Sequence, residues 1–209
     1  MGDTPRIHLA SASPRRREIL ASLGVRHTWQ GVDVDETPLR HEGADELALR
    51  LAVAKVRAAR AERSRDAVIL GADTVVSLDG DNFGKAASER EALFMLSRLS
   101  GREHTVVTAV ALCTPNGEMS ALSQSLVRFR AIDTAEAMAY WRSGEPEGKA
   151  GAYAIQGIGG IFVAALSGSY SGVVGLPVFE TAGLLRQAGI DLLRRTREGP
   201  QGNSRGDAV

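Results

Sequence analysis

Residues 67 to 78 read Ala-Val-Ile-Leu-Gly-Ala-Asp-Thr-Val-Val-Ser-Leu. A nearly continuous apolar run of this length suits a β-strand buried on both faces, which needs cover from each side. With 209 residues, the chain can supply that cover as one well-buried core or as two small lobes around a cleft. Asp73 interrupts the run. An unpaired carboxylate in apolar surroundings costs several kcal/mol or is forced to protonate. It therefore needs a metal, a cation or hydrogen-bond donors. Gly71 and Ala72 are small enough to let a ligand or another backbone approach. The alternative is an Asp near a strand end that caps a turn or pairs with a structural arginine.

The segments around this strand alternate between helix and strand without the regularity of an all-parallel sheet. Arg6 to Ala10 reads as a short first strand. Ser13 can cap the helix that follows, Pro14 suits its first position, and Gly24 stops it. Val25 to Trp29 can form a second strand, and Gly31 to Pro38 an acidic loop. From about Ala44 to Arg63, Leu47, Leu51, Ala54 and Ala58 recur at helical spacing, with Lys55 near the middle. Asp79-Gly80 signals a turn, and Gly84-Lys85 lies in the loop beyond it. Ser88 with Glu91, and Asp133 with Glu136, have the capping-box pattern ahead of two further helices. Between these helices two long strands, about 104–114 and 118–130, are joined by Thr114-Pro115-Asn116-Gly117, a hairpin signature. A glycine-rich loop over 148–160, a strand over about 161–166 and a helix from about Pro177 to Ala188 complete the pattern. The reading is one domain over residues 1–196, α/β with a mixed sheet and flanking helices. The tail from Arg197 has nothing to bury and reads as disordered.

Arg15, Arg16 and Arg17 crowd the first turn of the first helix, the positive end of its dipole, where cations are disfavoured. Helix N-termini attract phosphates, and guanidinium groups add bidentate donors, so the turn suits a polyanion. A solvated basic turn paired with Glu18 is the other reading. Lys and Arg together equal Asp and Glu at 25 each, so no overall field favours nucleic acid or an anionic membrane. A phosphate ligand must be gripped locally. Lys55 and Lys85 are candidates for that grip, although most lysines only solvate a helix or loop. Asp33, Asp35 and Glu36 could hold a divalent ion through oxygen, or form an ordinary acidic surface loop. Gln156 offers both a donor and an acceptor to a base edge, or is a simple polar group. The single Cys113 excludes an internal disulfide and reads as a buried strand residue, and the histidines lack metal-ligand spacing. No apolar signal-peptide core or membrane-spanning stretch is present, so a cytoplasmic protein is expected. The glycine-rich stretches fit neither a Walker A nor a dinucleotide fingerprint. Taken together, the basic helix start, distant lysines and carboxylates describe a site for a polyphosphate and a divalent metal, most simply a nucleoside triphosphate.

Several longer motifs then carry a resemblance. Ser11-Ala12-Ser13-Pro14-Arg15-Arg16, Gly71-Ala72-Asp73-Thr74-Val75-Val76, Gly84-Lys85, the run from Ala150 to Gly157 and the run from Gly168 to Pro177 are similar to the Maf nucleotide pyrophosphatases. The likeness runs in order from about Ile7 to Ala188. It implies an elongated α/β fold of the inosine triphosphate pyrophosphatase type, with a mixed twisted sheet and a central cleft between two lobes. It also implies hydrolysis of nucleoside triphosphates to monophosphate and pyrophosphate with a divalent cation, Mg²⁺, Mn²⁺ or Co²⁺. By the resemblance, Asp73 is the catalytic acid–base residue and, with Glu36, a metal-associated carboxylate. Ser11, Arg15, Arg16, Lys55 and Lys85 would hold the phosphates. Arg15, Thr74 and Gln156 fall at the positions that separate subgroups. The Ala-Ile-Gln-Gly form looks like the subgroup acting on dTTP and UTP, whereas the 7-methyl-GTP subgroup usually carries Ser-Glu-Gly. The implied partner is the nucleotide, with no nucleic acid or membrane and with a homodimer left open. A nucleotide-binding regulator of cell division and a pyrophosphatase for modified purine nucleotides are the rival readings. The sequence departs from the family at Ala86, where proline is frequent, and at Ala152, where glycine or serine is.

Overall fold

The computed structural model describes residues 7–195, so the expected tail over 197–209 lies outside the described residues. In chain order the elements are β1 (Ile7–Leu9), α1 (Pro14–Ser22), β2 (His27–Trp29), α2 (Ala44–Ala61), β3 (Val68–Leu78) and β4 (Asp81–Phe83). They continue with α3 (Glu89–Leu99), β5 (Glu103–Thr114), β6 (Gly117–Phe129) and α4 (Thr134–Arg142). A 3₁₀ turn (Ile158–Phe162), β7 (Val163–Ser167), α5 (Tyr170–Val174), α6 (Val178–Gln187) and α7 (Leu192–Arg195) complete the fold.

The strands form one mixed sheet in the order β2-β1-β3-β5-β6-β7, with β4 paired to the end of β3. β1 is parallel to both β2 and β3, and the β3–β5, β5–β6 and β6–β7 pairs are antiparallel. As its composition requires, every residue of β3 is buried or half-buried. Ile69 and Val75 pack with α2 on one face. Leu70 and Ala72 pack beneath α1 and α6 on the other. Further along, Val76 and Leu78 join a cluster with Leu96 and Leu99 of α3 and Ala137 and Tyr140 of α4. The mixed sheet with helices on both sides is the α/β class that the sequence implied.

The contact between α2 and β3 is closest at Gly71. A Cβ there would lie 2.8 Å from Val56 Cγ1 and 2.9 Å from the Ala52 carbonyl oxygen. The helix backbone cannot yield cheaply, so Gly71→Ala should destabilise the fold by about 1–3 kcal/mol. A denaturant midpoint unchanged from wild type would contradict this.

Local signals account for most boundaries. Pro14 opens α1, and Gly24 follows its end at φ 68°. Asp133 Oδ1 accepts from the Glu136 amide at 2.8 Å, and Glu136 Oε2 accepts from the Asp133 amide at 3.1 Å, so both arms of that capping box form. At α3 only one arm is as expected: Ser88 Oγ accepts from the Glu91 amide, but Glu91 Oε2 reaches back to the amide of Ala87. Thr114 pairs with Gly117 across the β5–β6 hairpin.

Other expectations need correction. The buried face of α2 is Leu47, Ala48, Leu51, Ala52, Lys55, Val56 and Ala59, while Ala54 and Ala58 are only half-buried. The small alanines gave a stripe whose phase is rotated from the real one. β4 had no sequence signal, because a three-residue strand is too short to show a period. The expected strand over 161–166 begins later, at Val163, after the 3₁₀ turn. Residues 170–174 form α5, since Ser169 Oγ caps it by accepting from the Gly172 amide at 3.0 Å. Ala152 adopts a left-handed φ of 57°, a conformation glycine takes freely and alanine takes at a cost of about 1 kcal/mol.

Beneath the sheet's α3–α4 end lies an aromatic group with a buried histidine. His104 Nε2 is 2.9 Å from the Tyr153 hydroxyl, and the ring stands edge-on to Phe129. Burial lowers the His104 imidazole from 6.5 to about 4. Below pH 6.5 the unfolded chain binds a proton that the folded chain refuses, so stability complete above that pH is lost as pH falls toward about 4. The loss is on the order of 3 kcal/mol. Denaturant midpoints of wild type and His104→Phe, compared at neutral pH and near the lower limit, should converge on acidification. Parallel pH curves would contradict a buried neutral His104.

Candidate active site

Ser11, Arg15, Arg16, Glu36, Lys55, Asp73, Thr74, Lys85 and Gln156 all line one cleft of about 450 Å³. They come from six separate stretches of chain, so the topology, not proximity in sequence, assembles them. The clustering follows from β3. Asp73 faces α2 while its neighbour Thr74 faces the α1 side, because successive strand residues point to opposite faces.

On the α2 side the charges form a relay. Lys55 Nζ donates to Asp73 Oδ1 at 2.6 Å and to Glu36 Oε1 at 2.8 Å, and Lys85 Nζ donates to Glu36 Oε2 at 2.6 Å. The Lys55 and Asp73 side chains are only 9% and 11% exposed. Such a pair differs from the exposed pairs Arg57–Glu118 and Arg102–Asp79, which are each worth about 0–1 kcal/mol. Burial alone would raise the Glu36 carboxyl, but hydrogen bonds from Lys55 and Lys85 outweigh it and hold Glu36 at about 2.

On the α1 side Arg16 is held at three points. Its Nε donates to the Gly175 carbonyl at 2.8 Å, its Nη1 to Ser11 Oγ at 3.1 Å and its Nη2 to Thr74 Oγ1 at 3.3 Å. Thr74 Oγ1 shares a hydrogen bond with Thr108 Oγ1 at 2.9 Å, and Thr108 donates to the Gly172 carbonyl at 2.7 Å. Thr74 thus couples Arg16 to α5. Burial pulls the Arg15 and Arg16 guanidinium groups below their usual range, and carboxylates nearby partly offset it. Arg15 Nε is buried without a hydrogen-bond partner among the described residues. Ser13 does not cap α1 with its side chain; its own amide donates to Ser11 Oγ instead. The amides of the first turn are therefore not taken by a side-chain cap, as an anion site requires.

The three-arginine turn does not act as one unit. Arg17 leaves the cleft and stacks over the Trp29 ring, 4.0 Å from its centroid. Two positions along a helix turn a side chain by about 200° from Arg15, which sends it to another face. Sequence reasoning missed Lys149, Tyr153 and Thr108. Lys149 and Tyr153 line the cleft, and Thr108 braces Thr74. Lys149 sits in the glycine-rich loop beside the matched motif, which was the available signal. Thr108 lies in an apolar strand and gave none.

Five basic side chains, Arg15, Arg16, Lys55, Lys85 and Lys149, thus face two acidic ones, Glu36 and Asp73. That local excess fits a polyanion although the whole chain is neutral. Among the described residues no group of three or more His, Cys, Asp or Glu is arranged to hold a metal ion. Asp73 and Glu36 nevertheless meet on one ammonium group. Two hard carboxylate donors suit Mg²⁺ or Mn²⁺, which completes its shell with water and substrate phosphates. No helix among the described residues is long and apolar enough to cross a membrane.

The model of the family described as Maf-like protein matches residues 6–188. The chain belongs to the Maf family. A dTTP/UTP pyrophosphatase of Methylococcus capsulatus is 50% identical over 186 residues, covering 89% of this chain and 92% of that protein. One of Bordetella pertussis is 48% identical over 196 residues, covering 90% and 95%. Among solved structures, the nucleoside-triphosphatase / dITP/XTP pyrophosphatase of Mycobacterium abscessus is similar at a TM-score of 0.43 and 19% identity, covering 94% of this chain and all of that one. The Maf match runs from just before β1 to just after α6, and so includes every residue of the cleft.

Proposed function

We propose that this Maf protein hydrolyses dTTP and UTP to the nucleoside monophosphate and pyrophosphate. The observation that carries this reading is one cleft in which five cations surround a buried carboxylate, with the amide of Gln156 also on its wall. Relatives of about half identity bearing the name dTTP/UTP pyrophosphatase support the choice of nucleotide.

In the proposed reaction the triphosphate lies against the first turn of α1, with Ser11, Arg15 and Arg16 on one side and Lys55 and Lys85 on the other. The lysines exchange their carboxylate partners for phosphate oxygens, which frees Asp73 to accept a proton. A water oxygen then bonds to the α-phosphorus as Asp73 takes the water proton, and the bond from the α-phosphorus to the bridging oxygen breaks. The electron pair leaves on pyrophosphate, whose charge the arginines and lysines stabilise by preorganised electrostatics. Asp73 and Glu36 would hold a divalent cation, which when bound polarises phosphate oxygens and acidifies water. At the base end, Gln156 offers a donor and an acceptor to the imide edge that thymine and uracil share.

Pyrophosphate release from dTTP, UTP, dCTP, GTP and 7-methyl-GTP, with Mg²⁺ or Mn²⁺, tests the reading. Release from dTTP and UTP above the others is expected. Preference for a purine would overturn the specificity, and binding without release from any of them would overturn the activity.

A further inference from the structure

Gln156 is exposed on the wall of the cleft, and its side chain makes no hydrogen bond to the protein among the described residues. Its aim is therefore set by its backbone, and that backbone is pinned on both sides by two residues outside the cleft. Tyr140 of α4 is 3% exposed, and its hydroxyl accepts from the Ala154 amide at 3.0 Å. The same hydroxyl donates to Glu145 Oε1 at 2.7 Å. Glu145 Oε1 also accepts from the Gly159 amide at 2.9 Å, and its Oε2 accepts from the Ile158 amide at 2.8 Å. One hydrogen-bonded pair thus holds the chain two residues before Gln156 and two and three residues after it.

The fit around the pair is close, and at Gly159 it also involves backbone, since a Cβ there would lie 2.9 Å from the Ala154 carbonyl oxygen. A Cβ at Gly157 would collide with the Glu145 carboxylate, and one at Gly159 with the Tyr140 hydroxyl. Burial would raise the Glu145 carboxyl, but donation from the Gly159 amide, Tyr140 and the Ile158 amide outweighs it and keeps the group ionised. An ionised carboxylate with three donors is a strong anchor, since charge-assisted hydrogen bonds are roughly twice as strong as neutral ones.

We propose that Glu145 and Tyr140 are positioning residues for base selection: they fix the loop that aims Gln156 without themselves touching the nucleotide. This rests on the reading that the cleft takes pyrimidine triphosphates with Gln156 at the base. Discrimination between UTP and CTP depends on matching one donor and one acceptor, so a loosened loop blurs it more than it slows phosphate chemistry at Asp73.

The test is the ratio of kcat/KM for UTP to that for CTP in Tyr140→Phe, Glu145→Gln and Gln156→Ala, and in Gln156→Ala combined with each of the first two. Tyr140→Phe deletes the bridging hydroxyl, and Glu145→Gln removes the charge while keeping the shape. Each is expected to lower the ratio by about tenfold, with UTP turnover falling less than the ratio. In the Gln156→Ala background neither should change the ratio further, because the group they position is gone. Circular dichroism and thermal melts identify a variant that fails to fold, and the second variant then carries the test. If Gln156→Ala collapses the ratio while folded Tyr140→Phe and Glu145→Gln preserve it, the positioning role is overturned and the reading of Gln156 stands. An unchanged ratio in Gln156→Ala overturns both.

Discussion

Asp73→Asn lowers pyrophosphate release from UTP by roughly 10²–10⁴-fold, the range over which a positioned general base contributes. Asn keeps the shape of Asp and its place on β3, opposite Ala109 of β5, so the strand need not move. What it loses is the ability to take a proton and a negative charge beside Lys55. Because the cleft already carries more basic than acidic groups, deleting one acid leaves the cations less opposed. With no divalent cation present, a non-hydrolysable α,β-methylene analogue of UTP should therefore bind Asp73→Asn at least as tightly as wild type. Single-turnover release and calorimetry separate the two effects. Undiminished turnover would remove Asp73 from the chemistry, and lost binding would mean that it holds the fold of the cleft instead.

Lys55→Met has the largest expected effect on stability. The substitution keeps the aliphatic stem that packs within α2 but removes the only ammonium group within hydrogen-bonding reach of Asp73 among the described residues. Asp73 would then be a nearly buried carboxylate with Glu36 as a like-charged neighbour. Removing one partner of a buried pair costs about 3–5 kcal/mol, mostly the penalty of stranding the other charge. Denaturant midpoints measure it. The double variant Lys55→Met/Asp73→Asn should recover most of the loss, since the stranded charge is gone. A single variant as stable as wild type would show that Asp73 finds other donors or water. Turnover is expected to fall with the single variant too, as Lys55 is proposed to pass from carboxylate to phosphate on binding.

These two residues also mark the limit of what can be read along the chain. Asp73 stood out because a carboxylate within an apolar run demands a partner, and the structure supplies one. Nothing local named that partner. Lys55 lies 18 residues earlier on a helix whose apparent stripe was out of phase, and only the packing of α2 on Gly71 turns Lys55 inward.

Residue pattern alone determined the features whose energetics are local. The double-sided burial of β3, the Pro14 and Gly24 limits of α1, the Asp133–Glu136 cap and the Thr114–Gly117 hairpin each follow from residues a few positions apart. The motif resemblance likewise named nine of the residues that line the cleft, though not Lys149 or Tyr153. Tertiary structure decided what those residues touch. It sent Arg17 to Trp29, braced Thr74 with Thr108, gave Arg16 the Gly175 carbonyl and set Glu145 and Tyr140 around the Gln156 loop. It also formed β4, which no period announced. Caps and turns are satisfied within one helical turn or hairpin, so the sequence displays both partners side by side. Buried polar groups must be paired wherever the fold brings a donor to an acceptor, and for Arg16 and Gly175 that meeting spans 159 positions.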